Sequence, residues 1–115
     1  MMKSLKILKV EKNNFNVKIC KSLITKGIGL MFNFFKEEGI LMVFRNETKT
    51  ALHTFFVLRK IDIVYFNSEK IAVKLLKNVK PFRFYIKGIK SKYILEVKDC
   101  KNIKIGDKLN YSDWS

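Results

Sequence analysis

Residues 39–66 read GILMVFRNETKTALHTFFVLRKIDIVYF, and the apolar stretches inside them decide the fold. Gly39 breaks the chain ahead of Ile40-Leu41-Met42-Val43-Phe44, a short run with no polar interruption that reads as a buried strand. Residues 45–49 form a polar turn in this reading. Residues 52–57 and 60–66, rich in aromatic and branched side chains, follow as two strands that pair as a hairpin. Working downstream, Asn67-Ser68-Glu69 is a turn, and residues 71–76 alternate as the next strand. Pro81 has no amide donor and ends that strand or sits at an edge. Residues 82–86 and 93–97 add two more strands around a Lys-rich turn at Gly88. Upstream, residues 5–10 and 15–20 form a first hairpin about the adjacent Asn13 and Asn14. Ser22 then caps apolar residues at near-helical spacing, Leu23, Ile24, Ile28, Met31, Phe32 and Phe35, which predicts one short helix weakened by Gly27 and Gly29. The expected class is α+β, predominantly β: a small curled sheet or partly open barrel of short, mostly antiparallel strands with one short helix.

The chain of 115 residues forms a single domain over 1–115 in this reading. Hydrophobic residues make up 48% of it and proline occurs once, so burial can offset the entropy of ordering and a disordered chain is excluded. Lys3, Lys6, Lys9 and Lys12 interrupt the first apolar residues, so the sequence predicts neither a signal peptide nor a membrane span, and a cytoplasmic location. Cys20 and Cys100 stand alone, without a Cys-x-x-Cys, and read as reduced, buried thiols.

The net charge is +14, from 24 basic and 10 acidic residues. It is spread along the chain, with 12 basic residues in 1–69 and 12 in 70–115. The best candidate for a basic face is Lys74, Lys77, Lys80, Arg83, Lys87, Lys90 and Lys92, interleaved with Phe82, Phe84, Tyr85 and Tyr93. Lysine without clustered arginine is poor at bidentate phosphate or base recognition, so nucleic-acid binding is a secondary expectation.

Four residues form a candidate ligand pocket: His53, Phe55, Asp62 and Glu96. His53 is the only histidine, which excludes a multi-histidine metal site; no metal and no cofactor is expected. If residues 52–57 pair with 60–66 around Leu58-Arg59, Phe55 stands opposite Asp62 and His53 opposite Val64. His53 and Asp62 are then diagonal neighbours about 7–8 Å apart at the backbone, within reach of a side-chain hydrogen bond. The alternative is a structural hydrogen bond on a half-buried sheet face. Asp62 interrupts an apolar strand and needs partners there, and Glu96 sits similarly between Leu95 and Val97.

The order Gly29-Leu30-Met31-Phe32, Gly39 to Phe44, His53-Thr54-Phe55-Phe56, Ile61 to Phe66, then Pro81, Leu95-Glu96-Val97 and Gly106-Asp107 resembles the family called domain of unknown function 192, or uncharacterised protein family 0127, over residues 15–110. The resemblance implies a small, mostly β domain with a short helix near the Gly-Leu-Met segment, and no established activity. Where that family commonly has Met, Arg, an apolar residue and Pro, this sequence has Val57, Leu58, Arg59 and Lys60. The expected function is a non-enzymatic binding or accessory module for a small or acidic ligand. The alternatives are a basic module for nucleic acid or an acidic partner, and a hydrolase-type enzyme using His53 with a carboxylate.

Overall fold

The structure is a computed structural model that describes residues 2–20, 39–49, 60–80 and 86–111. Within them seven strands follow one another: β1 (Met2–Val10), β2 (Asn13–Cys20), β3 (Gly39–Lys49), β4 (Ile61–Phe66), β5 (Ala72–Val79), β6 (Lys90–Val97) and β7 (Leu109–Asn110). They form one sheet in the order β5-β4-β6-β3-β2-β1-β7. Every neighbouring pair is antiparallel except β2 and β3, which run parallel. A parallel pair requires a long crossover, and residues 21–38 lie between the two strands. The predicted helix falls in that segment, outside the described residues, which contain no helix. None among them is therefore long and apolar enough to cross a membrane.

The first hairpin forms as the sequence predicts, but its turn is shorter: Asn13 and Asn14 open β2 opposite Val10 and Lys9. Its turn at Glu11-Lys12 puts Glu11 at φ +52°, and the Glu11 N–H is received by the Lys108 carbonyl at 3.3 Å. Two expectations are corrected. Residues 45–49 continue β3 instead of turning, with Thr48 opposite Ser91 and Lys49 opposite Lys90 after a shift in register. The long β6 offers ladder partners to these polar residues, and they keep their side chains largely in solvent. The hairpin of 52–57 with 60–66 is the second correction. β4 is bonded by β5 on one edge, Ile61 opposite Val79, and by β6 on the other, Asp62 opposite Val97. A strand has only two edges, so the one this hairpin needs is occupied.

The sheet is not closed. Among the described residues its edge strands β5 and β7 are tied at one corner, through an Ile71–Lys108 bridge and backbone hydrogen bonds from Ala72 to Asp107, Gly106 to Ala72 and Leu109 to Lys70. Gly106 turns that corner at φ +96°, where a side chain would be strained.

Both faces of the central strands are buried. One carries Leu8, Phe15, Val17, Leu41, Val64, Phe66 and Leu95. The other carries Ile40, Met42, Phe44, Ile61, Ile63, Tyr65 and Ile94. This is why β4 is buried at all six positions and reads as an apolar run instead of an alternation. Each such aliphatic side chain contributes roughly 1.5–3 kcal/mol on burial. Gly39 is fixed by packing: a Cβ there would run into the Glu96 carbonyl oxygen and Val97 across the ladder.

Candidate functional site

Asp62 is the second residue of β4 and stands opposite Val97, so its side chain leaves the sheet on the face of Val64 and Phe66. It is 7% exposed, and both carboxylate oxygens are engaged. Oδ1 accepts the Asn78 N–H at 2.8 Å, and Oδ2 accepts the Cys100 N–H at 2.8 Å. Asn78 lies where the β4–β5 register slips, at φ +57°. The carboxylate thus receives an amide that the irregular ladder leaves over, and pins the segment after β6 to the same point. Charge-assisted bonds of this kind are about twice as strong as neutral ones and offset the desolvation of the charge. Burial, reinforced by the Asp62 charge, pushes the Cys100 thiol up to about 11. Cys100 is a free, buried and unreactive thiol, as its sequence context suggests.

Glu96 has the opposite environment. In β6 it stands between Ile40 of β3 and Ile63 of β4, on the other face of the sheet. It is fully buried, and neither Oε1 nor Oε2 has a hydrogen-bond partner. Burial raises its pKa to about 8, so at neutral pH the side chain is mostly an uncharged acid. Such a group can donate one hydrogen bond through its hydroxyl and accept others.

The structure does not bring the candidate pocket together around these two acids. Asp62 is paired with Val97, the neighbour of Glu96, and successive strand residues point to opposite faces. His53 and Phe55 lie outside the described residues, and the pairing that set them beside Asp62 needs an edge of β4 that is taken. Among the described residues no group of three or more His, Cys, Asp or Glu could hold a metal.

The lysines of the candidate basic face are spread over the sheet. Lys74 and Lys77 are exposed on β5, Lys80 follows it, Lys87 precedes β6, and Lys90 and Lys92 open β6; Arg83 lies outside the described residues. Lys74 stands opposite Tyr65 on the Glu96 face, whereas Lys77 acts on the Cys100 thiol on the Asp62 side. Lys90 is at the far end of the sheet, opposite Lys49.

With seven strands in this order and two buried acids one ladder position apart, the molecule can be set against known proteins. A family model, domain of unknown function 192, described as Uncharacterized ACR, matches residues 6–111. The chain belongs to this family. A UPF0127 protein of Pyrococcus furiosus is 30% identical over 115 residues, covering 94% of this chain and 97% of that one. A UPF0127 protein of Thermococcus sibiricus is 33% identical over 104 residues, which cover 85% of this chain but only 65% of that relative's length. Two crystal structures share the family fold at 15% identity and a TM-score of 0.83. A protein of unknown function from Novosphingobium aromaticivorans matches 93% of this chain and 85% of its own. A putative transcription regulator from Sinorhizobium meliloti matches 93% of each. The family is uncharacterised, so the sheet and its acids must supply the functional argument.

Glu96 was legible as an acid inside an apolar strand, but its lack of partners was not. The register sets that feature, because Ile40 and Ile63 flank it instead of a donor.

Proposed function

We propose that this domain is a non-enzymatic binding or accessory module for a small acidic ligand, and that protonated Glu96 is the group that engages it. The observation that supports this reading is the fully buried Glu96 carboxyl with no hydrogen-bond partner on either oxygen. A buried polar group left unsatisfied costs about 1–3 kcal/mol, which a ligand that pairs with it returns. Asp62 shows that this sheet can satisfy a buried acid with two backbone amides, so the isolation of Glu96 is a property of its position. The uncharged acid donates to an acceptor, and a carboxylate is the acceptor that gives the strongest bond. The surrounding Ile40 and Ile63 suit an aliphatic ligand body, and a chain of net charge +14 draws anions toward it.

Thermal unfolding with short-chain monocarboxylates and their matching amides tests the proposal. Stabilisation reaches about 2.7 kcal/mol at a hundredfold excess over Kd. Carboxylates are expected to stabilise the wild-type chain, with an effect that fades as pH rises past 8 and is absent in Glu96→Leu. An equal effect in Glu96→Leu, or none in the wild type, refutes the reading.

A further inference from the structure

We infer that the corner joining the β1–β2 turn to the loop before β7 binds a short phosphate chain, at a site independent of Glu96. The fold brings together here residues that are nearly a hundred positions apart in sequence. Two adjoining clefts, of about 320 and 340 Å³, share Glu11 in their walls. Lys12 and Lys104 line the first, and Lys9 and Lys108 the second. All four lysines are exposed. Among the described residues none of their ammonium groups has an ion-pair partner.

Two acids of the corner, Glu11 and Asp107, line the same clefts, so four lysines there stand against two carboxylates, and both carboxylates also bond the backbone. Glu11 Oε2 accepts the Lys108 N–H at 2.9 Å, and Asp107 Oδ2 accepts the Lys104 N–H at 2.8 Å. Glu11 also donates its own N–H to the Lys108 carbonyl, and Asp107 donates its N–H to the Lys104 carbonyl at 3.0 Å. The carboxylates therefore hold the two loops in register, and the lysines are left facing the clefts. Loop positions at φ +52° and +96° fix the main chain that carries them. The backbone of the two loops is tied together before a ligand arrives, and only the lysine side chains remain to be ordered on binding.

The chemistry of the walls selects the ligand. Lysine is a point charge suited to phosphate oxygens, and cations spread over two consecutive clefts match a ligand with more than one phosphate group. Among the described residues no aromatic ring lines either cleft, so none of them offers a nucleobase a stacking surface. Phe15 is nearby, but the Lys101 ammonium lies over its ring at 4.5 Å. The shared chemistry is a linear chain of phosphates, whether free or carried by a nucleotide.

Calorimetric titration with inorganic triphosphate and, in parallel, adenosine triphosphate tests this on the full chain. Saturable binding of triphosphate is expected, weakened about tenfold or more in Lys12→Gln/Lys104→Gln. The charge-matched pair Lys74→Gln/Lys77→Gln on β5 is expected to lose less than about twofold. Adenosine triphosphate is expected to match triphosphate within about threefold, because only phosphates are read. Equal losses in the two variants overturn the inference, since they mark general attraction to a basic chain. Absence of saturable binding overturns it too, as does adenosine triphosphate binding more than about tenfold tighter, which requires a base contact.

Discussion

Replacing Glu96 with Gln keeps the side-chain shape and removes its titration, and the consequence can be worked from the structure. Burial sets the folded-state pKa at about 8 against an ordinary 4.5. Between those values the folded protein keeps a proton that the unfolded chain releases. The contribution is therefore fully present below pH 4.5 and is lost as pH rises through about 8. Each pH unit in the window removes about 1.4 kcal/mol, so roughly 3 kcal/mol is gone by pH 7 and about 5 kcal/mol above pH 8. That loss is a large share of the 5–15 kcal/mol typical of a whole domain. The groups facing Glu96 from β3 and β4, Ile40 and Ile63, are aliphatic and do not titrate. Other titrations are common to both proteins and cancel in the difference. Urea unfolding of wild type and Glu96→Gln at pH 5, 6, 7 and 8 should show a stability difference that moves in favour of the variant by about 4 kcal/mol across the series. A difference that stays constant over this range refutes the argument, because it means that Glu96 is already ionised or solvated in the folded state.

Asp62→Asn removes the charge from two buried hydrogen bonds and presents an NH₂ group to one of two N–H donors. It should cost about 2–4 kcal/mol in urea unfolding and speed hydrogen exchange at the Asn78 and Cys100 amides. Gly39→Ala places a methyl group against the Glu96 carbonyl and Val97, and should destabilise by about 1–3 kcal/mol or more, read as a lower Tm. Cys100, with its thiol pushed up to about 11, should resist a disulfide reagent at pH 8 in the folded protein and react once urea unfolds it, as mapped by peptide mass. Rapid labelling of Cys100 in the native state would refute its burial.

Much of the sheet was legible because its strands carry local signals. The β1–β2 hairpin has its polar break after Val10, β4 its apolar run interrupted only by Asp62, and β6 its branched residues. Pairing beyond the β1–β2 hairpin was not legible. The hairpin drawn for β4 used the nearest strand in sequence, whereas β4 took β5 and the distant β6, because burying both of its faces required a central place in the sheet. Arg45 to Lys49 looked like a turn because polar residues carry no burial signal, yet a long neighbouring strand can extend them. The family resemblance was carried by ordered motifs over residues 15–110, and the family model spans residues 6–111. His53 and Phe55 lie outside the described residues, so the structure bears only on the acid half of the pocket.

That half divides by a single ladder position. Asp62 and Glu96 were marked by one signal, an acid within an apolar strand, and the sheet gives them opposite fates. Register Asp62–Val97 turns Asp62 toward a slipped edge where two amides lack partners, and there its negative charge completes the backbone ladder. The same register turns Glu96 into an aliphatic ladder whose own amides are spoken for, and there the acid keeps its proton. Removing Asp62 leaves two donors unpaired, whereas removing Glu96 leaves none. A strand position at which leucine would be the more stable choice, and where an acid stands instead, departs from the consistency that makes a sequence fold, and such departures concentrate where a protein does something besides fold.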